Sequence, residues 1–150
     1  MRWLQATGLR ISELAAASCG HMERLENPDG QGALQSDWLL RVAGRGDRIR
    51  RVPVPLRLVH ELQEELHRSG LVPDVLAAGH ASLRILGRFD AVGAPASAVS
   101  VSGLAKAMKR QLRLAAGGMP EEDAEQLRKA SAHWLKNTHA ANVAGQRRIT

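Results

Sequence analysis

Two short apolar and basic runs, DWLLRVA at residues 37–43 and RIRRVPV at residues 48–54, are separated only by Gly44-Arg45-Gly46-Asp47. Strand-like runs on both sides of a glycine-rich break predict an antiparallel β-hairpin. Elsewhere the apolar residues recur at helical spacing. Pro55 opens a helix through Arg68, with Leu56, Val59, Leu62 and Leu66 on one stripe and Gly70 beyond it. Ser102 is placed to cap a helix through Ala116, whose stripe is Leu104, Met108, Leu112 and Ala115. Pro120 followed by Glu121, Glu122 and Asp123 predicts another helix start, with acids in the first turn. A short helix is expected over residues 9–17, and a last one from Ser131 or Ala132 to near Gly145. The turn cluster at residues 27–32 and the small, nearly uncharged stretch AVGAPASAVSVS at 91–102 read as connectors. The expected class is therefore α+β, mostly helical with a small N-terminal antiparallel β-hairpin or sheet.

The chain has 150 residues, the size of one ordinary domain, and 44% of them are apolar against 24% charged, a globular balance. Three Trp, one Phe and no Tyr leave the core to Leu, Val, Ala and Ile. The absence of tyrosine also excludes any mechanism in which this chain supplies one. Cys19 is the only cysteine, so neither a disulfide framework nor a cysteine zinc site is available, and it reads as a small buried residue. No stretch approaches 18 apolar residues and the start lacks a long apolar leader, so the expectation is a soluble cytoplasmic protein in a reducing compartment, away from membranes.

The chain carries 21 Lys and Arg against 15 Asp and Glu, a net charge of +6. Arginine dominates, 17 to four lysines, and its planar fork can hold two phosphate oxygens at once. A nucleic acid is the partner this balance favours, although many soluble proteins are equally basic.

Three segments together resemble the tyrosine recombinases, also called the phage integrase family. Thr7-Gly8-Leu9-Arg10-Ile11-Ser12-Glu13-Leu14 is similar to the family's first active-site box. Gly44-Arg45-Gly46-Asp47-Arg48-Ile49-Arg50-Arg51-Val52-Pro53 is similar to its hairpin. Ser131-Ala132-His133-Trp134-Leu135-Lys136-Asn137-Thr138-His139-Ala140 is similar to its second box. Order and spacing agree, and the first box is the most specific of the three. The resemblance implies a catalytic-domain fold of that family and a role in site-specific recombination and DNA integration, with double-stranded DNA as partner and no metal, nucleotide or other small-molecule cofactor. In the family a tyrosine attacks a DNA phosphate. Two arginines hold its non-bridging oxygens, and a hairpin lysine and a histidine transfer protons.

Carried over residue by residue, the resemblance implies that Arg10 is the first clamp arginine, Glu13 its acidic companion, and His133 the histidine of the second box. The other positions depart from the pattern. Arg45 stands where the hairpin lysine is expected, and a guanidinium is a poor proton donor near neutrality. Lys136 stands where the second clamp arginine is expected, a point charge in place of a bidentate fork. The expectation is a single truncated, degenerate catalytic domain over residues 1–150, without the family's core-binding domain or its nucleophile segment. It would bind DNA without cutting and rejoining it alone.

Candidate DNA contacts are Arg48, Arg50 and Arg51 on the hairpin and Lys106, Lys109, Arg110 and Arg113 on one helix face. Each has a plainer alternative: Arg10 as a helix-start arginine paired with Glu13, the hairpin arginines as a solvated tip, the helix face as a solubility device. His60-Glu61 is followed by His67, too far for a zinc-binding helix, and His133 and His139 are poorly spaced, so no metal site is expected. Two other roles stand beside the leading one. One is an interaction module that pairs with itself or with an intact recombinase. The other is a gene remnant without selected function.

Overall fold

The computed structural model describes residues 2–25, 37–44, 46, 48–89 and 95–130. In chain order its elements are α1 (Arg2–Thr7), α2 (Ile11–Ala16), β1 (Met22–Leu25), β2 (Asp37–Ala43), β3 (Ile49–Val54), α3 (Leu56–Arg68), β4 (Gly87–Phe89), β5 (Pro95–Ala98), α4 (Val101–Ala116) and α5 (Glu121–Lys129). The class is α+β. Two compact units divide the chain, one of Met1–Ala15 with Val99–Thr150, the other of Ala16–Ala98.

The second unit is built on a three-stranded antiparallel sheet of order β1-β2-β3. Trp38 pairs with Val54, Leu40 with Val52 and Ala43 with Ile49, and Gly44 N–H donates to Arg48 O at 2.8 Å, so the predicted hairpin is present. Side chains alternate across a strand. Met22, Trp38, Leu40, Val42 and Val54 accordingly share one face and are buried. The opposite face carries Glu23, Leu39, Arg41, Arg51 and Pro53.

The helix α3 contacts β2 and buries Leu58, Val59, Leu62 and Leu66. Burying each such side chain contributes about 1.5–3 kcal/mol. Leu56, expected on this stripe, is exposed, and Leu58 takes its place. Pro55 is the N-cap and puts Leu56 at the first helical position, whereas 58, 62 and 66 repeat at the spacing that keeps one face. Leu71 N–H to Leu66 O and Gly70 N–H to His67 O, both 2.9 Å, close the helix with a Schellman pattern.

A second pairing joins distant segments. Cys19 N–H donates to Leu83 O at 2.8 Å, Gly20 N–H to Ala81 O at 3.0 Å, and Ile85 N–H to Ala17 O at 3.1 Å. A Cβ on Gly20 would lie 2.7 Å from Ala81 O, so this approach requires glycine. Leu83, Ile85, Val75 and Cys19 are buried in this unit.

Other expectations need correction. The short helix expected over 9–17 is α2, Ile11–Ala16, which starts two residues later and is separated from α1 by a break at residues 8–10. The connector expected at 91–102 contains a strand: β5 pairs antiparallel with β4, and α4 begins at Val101. The cap of α4 is Ser100, not Ser102, and its Oγ accepts from Gly103 N–H at 3.0 Å. Four-residue steps from Leu104 bury Met108, Leu112 and Ala116, leaving Ala115 exposed. The strand β1 was not anticipated. As expected, a helix starts after Pro120 with three acids in its first turn; this helix, α5, closes on Arg128 and Lys129 and contacts α4. The turn at 27–32 and the last helix lie outside the described residues.

Candidate nucleic-acid interface

The segment Thr7–Leu14 has a structural explanation at nearly every position. Thr7 is buried and its hydroxyl donates to Trp3 O at 2.5 Å, satisfying itself within α1. Gly8 has φ 63°, the left-handed conformation that ends a helix, and its N–H donates to Leu4 O at 3.0 Å. Leu9 and Leu14 are fully buried anchors on either side of the break. Leu14 N–H donates to Arg10 O at 3.0 Å, which makes Arg10 the N-cap of α2. Glu13, three residues on, reaches back to accept from Arg10 N–H at 2.7 Å, the acidic half of a capping box.

The guanidinium of Arg10 is left over from this construction. Its Nη1 lies 3.4 Å from Glu13 Oε1, and its side chain is 50% exposed against 8% for Glu13. An ion pair this open contributes at most about 1 kcal/mol. The capping bond uses only the backbone of Arg10, so the fold would accept another residue there.

Arg48, Arg50 and Arg51 are all exposed on the hairpin. Successive positions alternate, so Arg50, paired with Val42, lies on the same sheet face as the core, and Arg51, paired with Arg41, on the outward one. Arg51 is not a solvated tip residue: its Nε donates to Glu23 Oε2 at 3.0 Å. Arg41 Nε lies 2.9 Å from Glu23 Oε1, and Arg41 Nη2 donates to Gly20 O at 3.0 Å. Sequence reasoning missed Arg41 and Glu23. Their signal is the antiparallel register, which brings residue 23 within reach of residue 51.

On α4, Lys106, Lys109, Arg110 and Arg113 are exposed together, away from the buried Leu104, Met108 and Leu112. Among the described residues no carboxylate forms an ion pair with any of the four. The contrast with α5 is local. There Arg128 Nη1 lies 2.8 Å from Glu121 Oε1 and Lys129 Nζ lies 2.7 Å from Glu125 Oε1. The hydrogen bond from Arg128, then its charge, holds the Glu121 carboxyl below its ordinary value.

Arg45, His133 and Lys136 lie outside the described residues, so Arg10 is the member of the expected catalytic set whose surroundings are known. Cys19 is buried as expected. Burial pushes its thiol up to about 11, which keeps it protonated and unreactive at neutral pH. His80 is also buried, with Nδ1 2.8 Å from Asp74 O, a histidine satisfied within its own loop. Among the described residues no three His, Cys, Asp or Glu side chains are grouped to hold a metal ion, and no helix is long and apolar enough to cross a membrane.

No protein-family model, curated protein or solved structure matches the chain.

Proposed function

We propose that this chain is a DNA-binding domain of tyrosine-recombinase type, that duplex phosphates are met by Arg10 and the basic face of α4 in one unit and by Arg48 and Arg50 in the other, and that the chain is unable alone to cut and rejoin DNA. The observation that carries the reading is the economy of the first box. Thr7, Gly8, Leu9, Glu13 and Leu14 each build the α1–α2 break, and the Arg10 guanidinium is a charged group there that the break does not need. The Arg10 guanidinium is half-exposed and, at 3.4 Å, only loosely paired with Glu13, so it is available to a phosphate oxygen. The four cations of α4, without carboxylate partners among the described residues, add a sequence-independent attraction to the backbone.

The chemistry follows from residue types. These 150 residues contain no tyrosine, so no phosphotyrosyl bond can form through them. Within the same reading, Arg45 holds charge without giving up a proton, and Lys136 attracts a phosphate without the geometry of a fork. The reading is a DNA-integration and recombination domain that grips its substrate while these residues supply no nucleophilic tyrosine.

A duplex carrying a nick that traps covalent intermediates tests both halves. The expected result is reversible binding at low salt with no protein–DNA adduct resistant to denaturation. An adduct through this chain overturns the claim of inactivity, and absence of binding at low salt overturns the DNA reading.

A further inference from the structure

We propose that Arg41, Arg51 and Glu23 form an anion seat on the outward face of the sheet, in which the Glu23 carboxylate stands in the place of a DNA phosphate and masks both arginines. Arg41 and Arg51 are direct cross-strand partners on β2 and β3. Like charges so placed repel each other. Glu23 on β1 relieves the repulsion by dividing its carboxylate between them: Oε1 lies 2.9 Å from Arg41 Nε, and Oε2 lies 3.0 Å from Arg51 Nε. Two guanidiniums converging on two oxygens of one anion is also how arginines hold the non-bridging oxygens of a phosphodiester. A phosphodiester carries the same single negative charge as the carboxylate, so one replaces the other without changing the charge of the seat.

The three side chains are unequally committed. Arg41 is also tied to Gly20 O at 3.0 Å, and Gly20 is fixed by its close approach to Ala81. Arg51 is 65% exposed, and among the described residues its hydrogen bond is through Nε to Glu23. Glu23 is 26% exposed, and a rotation of its side chain is enough to vacate the seat. Arg41 is therefore the fixed wall, Arg51 the arm and Glu23 the resident anion. The effect is a brake on affinity: two arginines of a basic hairpin contribute nothing to DNA binding while Glu23 is in place.

The choice of DNA phosphate as ligand rests on the function proposed above; the seat rests on geometry alone. The test uses the full chain with Glu23→Gln, which keeps the shape and removes the charge, and Arg51→Gln. In wild type the brake predicts that Arg51→Gln leaves the salt dependence of duplex binding unchanged. Glu23→Gln steepens the slope of log K against log salt by up to about 1.8, two further phosphate contacts at about 0.9 each. Between about 50 and 200 mM salt this enlarges the loss of affinity by about tenfold. Added inorganic phosphate raises the melting temperature of Glu23→Gln more than that of wild type, and Arg51→Gln in the same chain cancels the difference.

An unchanged slope in a folded Glu23→Gln chain, or a slope lowered by about 0.9 in Arg51→Gln alone, overturns the inference. Should Glu23→Gln not fold, the Arg51→Gln measurement decides. If wild type does not bind duplex DNA, the function proposed above fails, and the phosphate-dependent melting of Glu23→Gln still judges the seat.

Discussion

The outward face of the sheet and the exposed face of α4 carry the same charge under opposite conditions. Arg41 and Arg51 share the carboxylate of Glu23, which arrives from a third strand. Lys106, Lys109, Arg110 and Arg113 lie along one helix with no carboxylate paired to them among the described residues. The two regions also differ in how they are held. The sheet rests on a layer from α3 that includes the fully buried Leu58, Val59 and Leu66. The helix α5, by contrast, buries one alanine, Ala124, and is tied along its surface by ion pairs. Counting basic residues does not distinguish such surfaces. A cation next to an internal anion is already partnered, and a cation on a bare helix face retains its attraction for phosphate.

The sharpest way to break this comparison is through the core beneath the sheet. Leu66→Ala removes a fully buried side chain and is expected to destabilise the chain by about 2–5 kcal/mol in urea unfolding. A loss below about 1 kcal/mol would mean that the sheet does not depend on α3 as described. Ser100→Ala has a smaller effect: losing the bond to Gly103 N–H costs about 1 kcal/mol, read in the same unfolding experiment.

The smallest effect is at the ion pair of α5. Arg128 depresses the pKa of Glu121 in the folded chain, so the stabilisation is complete above the ordinary value of 4.5 and is lost as pH falls through the depressed one. Both groups lie on the surface, so Glu121→Gln is expected to lower the melting temperature slightly near neutral pH and not at all in strong acid. An effect independent of pH would show that the pair is not the cause.

Much of the fold was legible because pattern and structure share a period. Two apolar and basic runs on either side of the glycine-rich break at Gly44 pointed to the hairpin, helical spacing of apolar residues to α3 and α4, and Pro120 with three acids to the start of α5. What was not legible depends on distant partners. The four residues of β1, MERL, carry no clear alternation, and β1 is a strand only because β2 lies beside it. β5 is PASA, small residues whose pairing with β4 no composition rule anticipates. Leu56 and Leu58 both fit an apolar stripe, and only the position of the cap decides between them. In the candidate site, Arg10 and Glu13 were legible because a helix break is local. The pairing of Glu23 with Arg51 was not, because 28 positions separate them and the antiparallel register joins them.

The central claim is that the basic face of α4 meets DNA phosphates. Its most direct test is the salt dependence of duplex binding by the intact chain and by a variant with Lys106, Lys109, Arg110 and Arg113 all changed to Gln. These four side chains are exposed and contribute little to the core, so the variant is expected to fold. The account predicts a slope shallower by up to about 3.6, four contacts at about 0.9 each, with weaker binding at every salt concentration. An unchanged slope in the folded variant would contradict it.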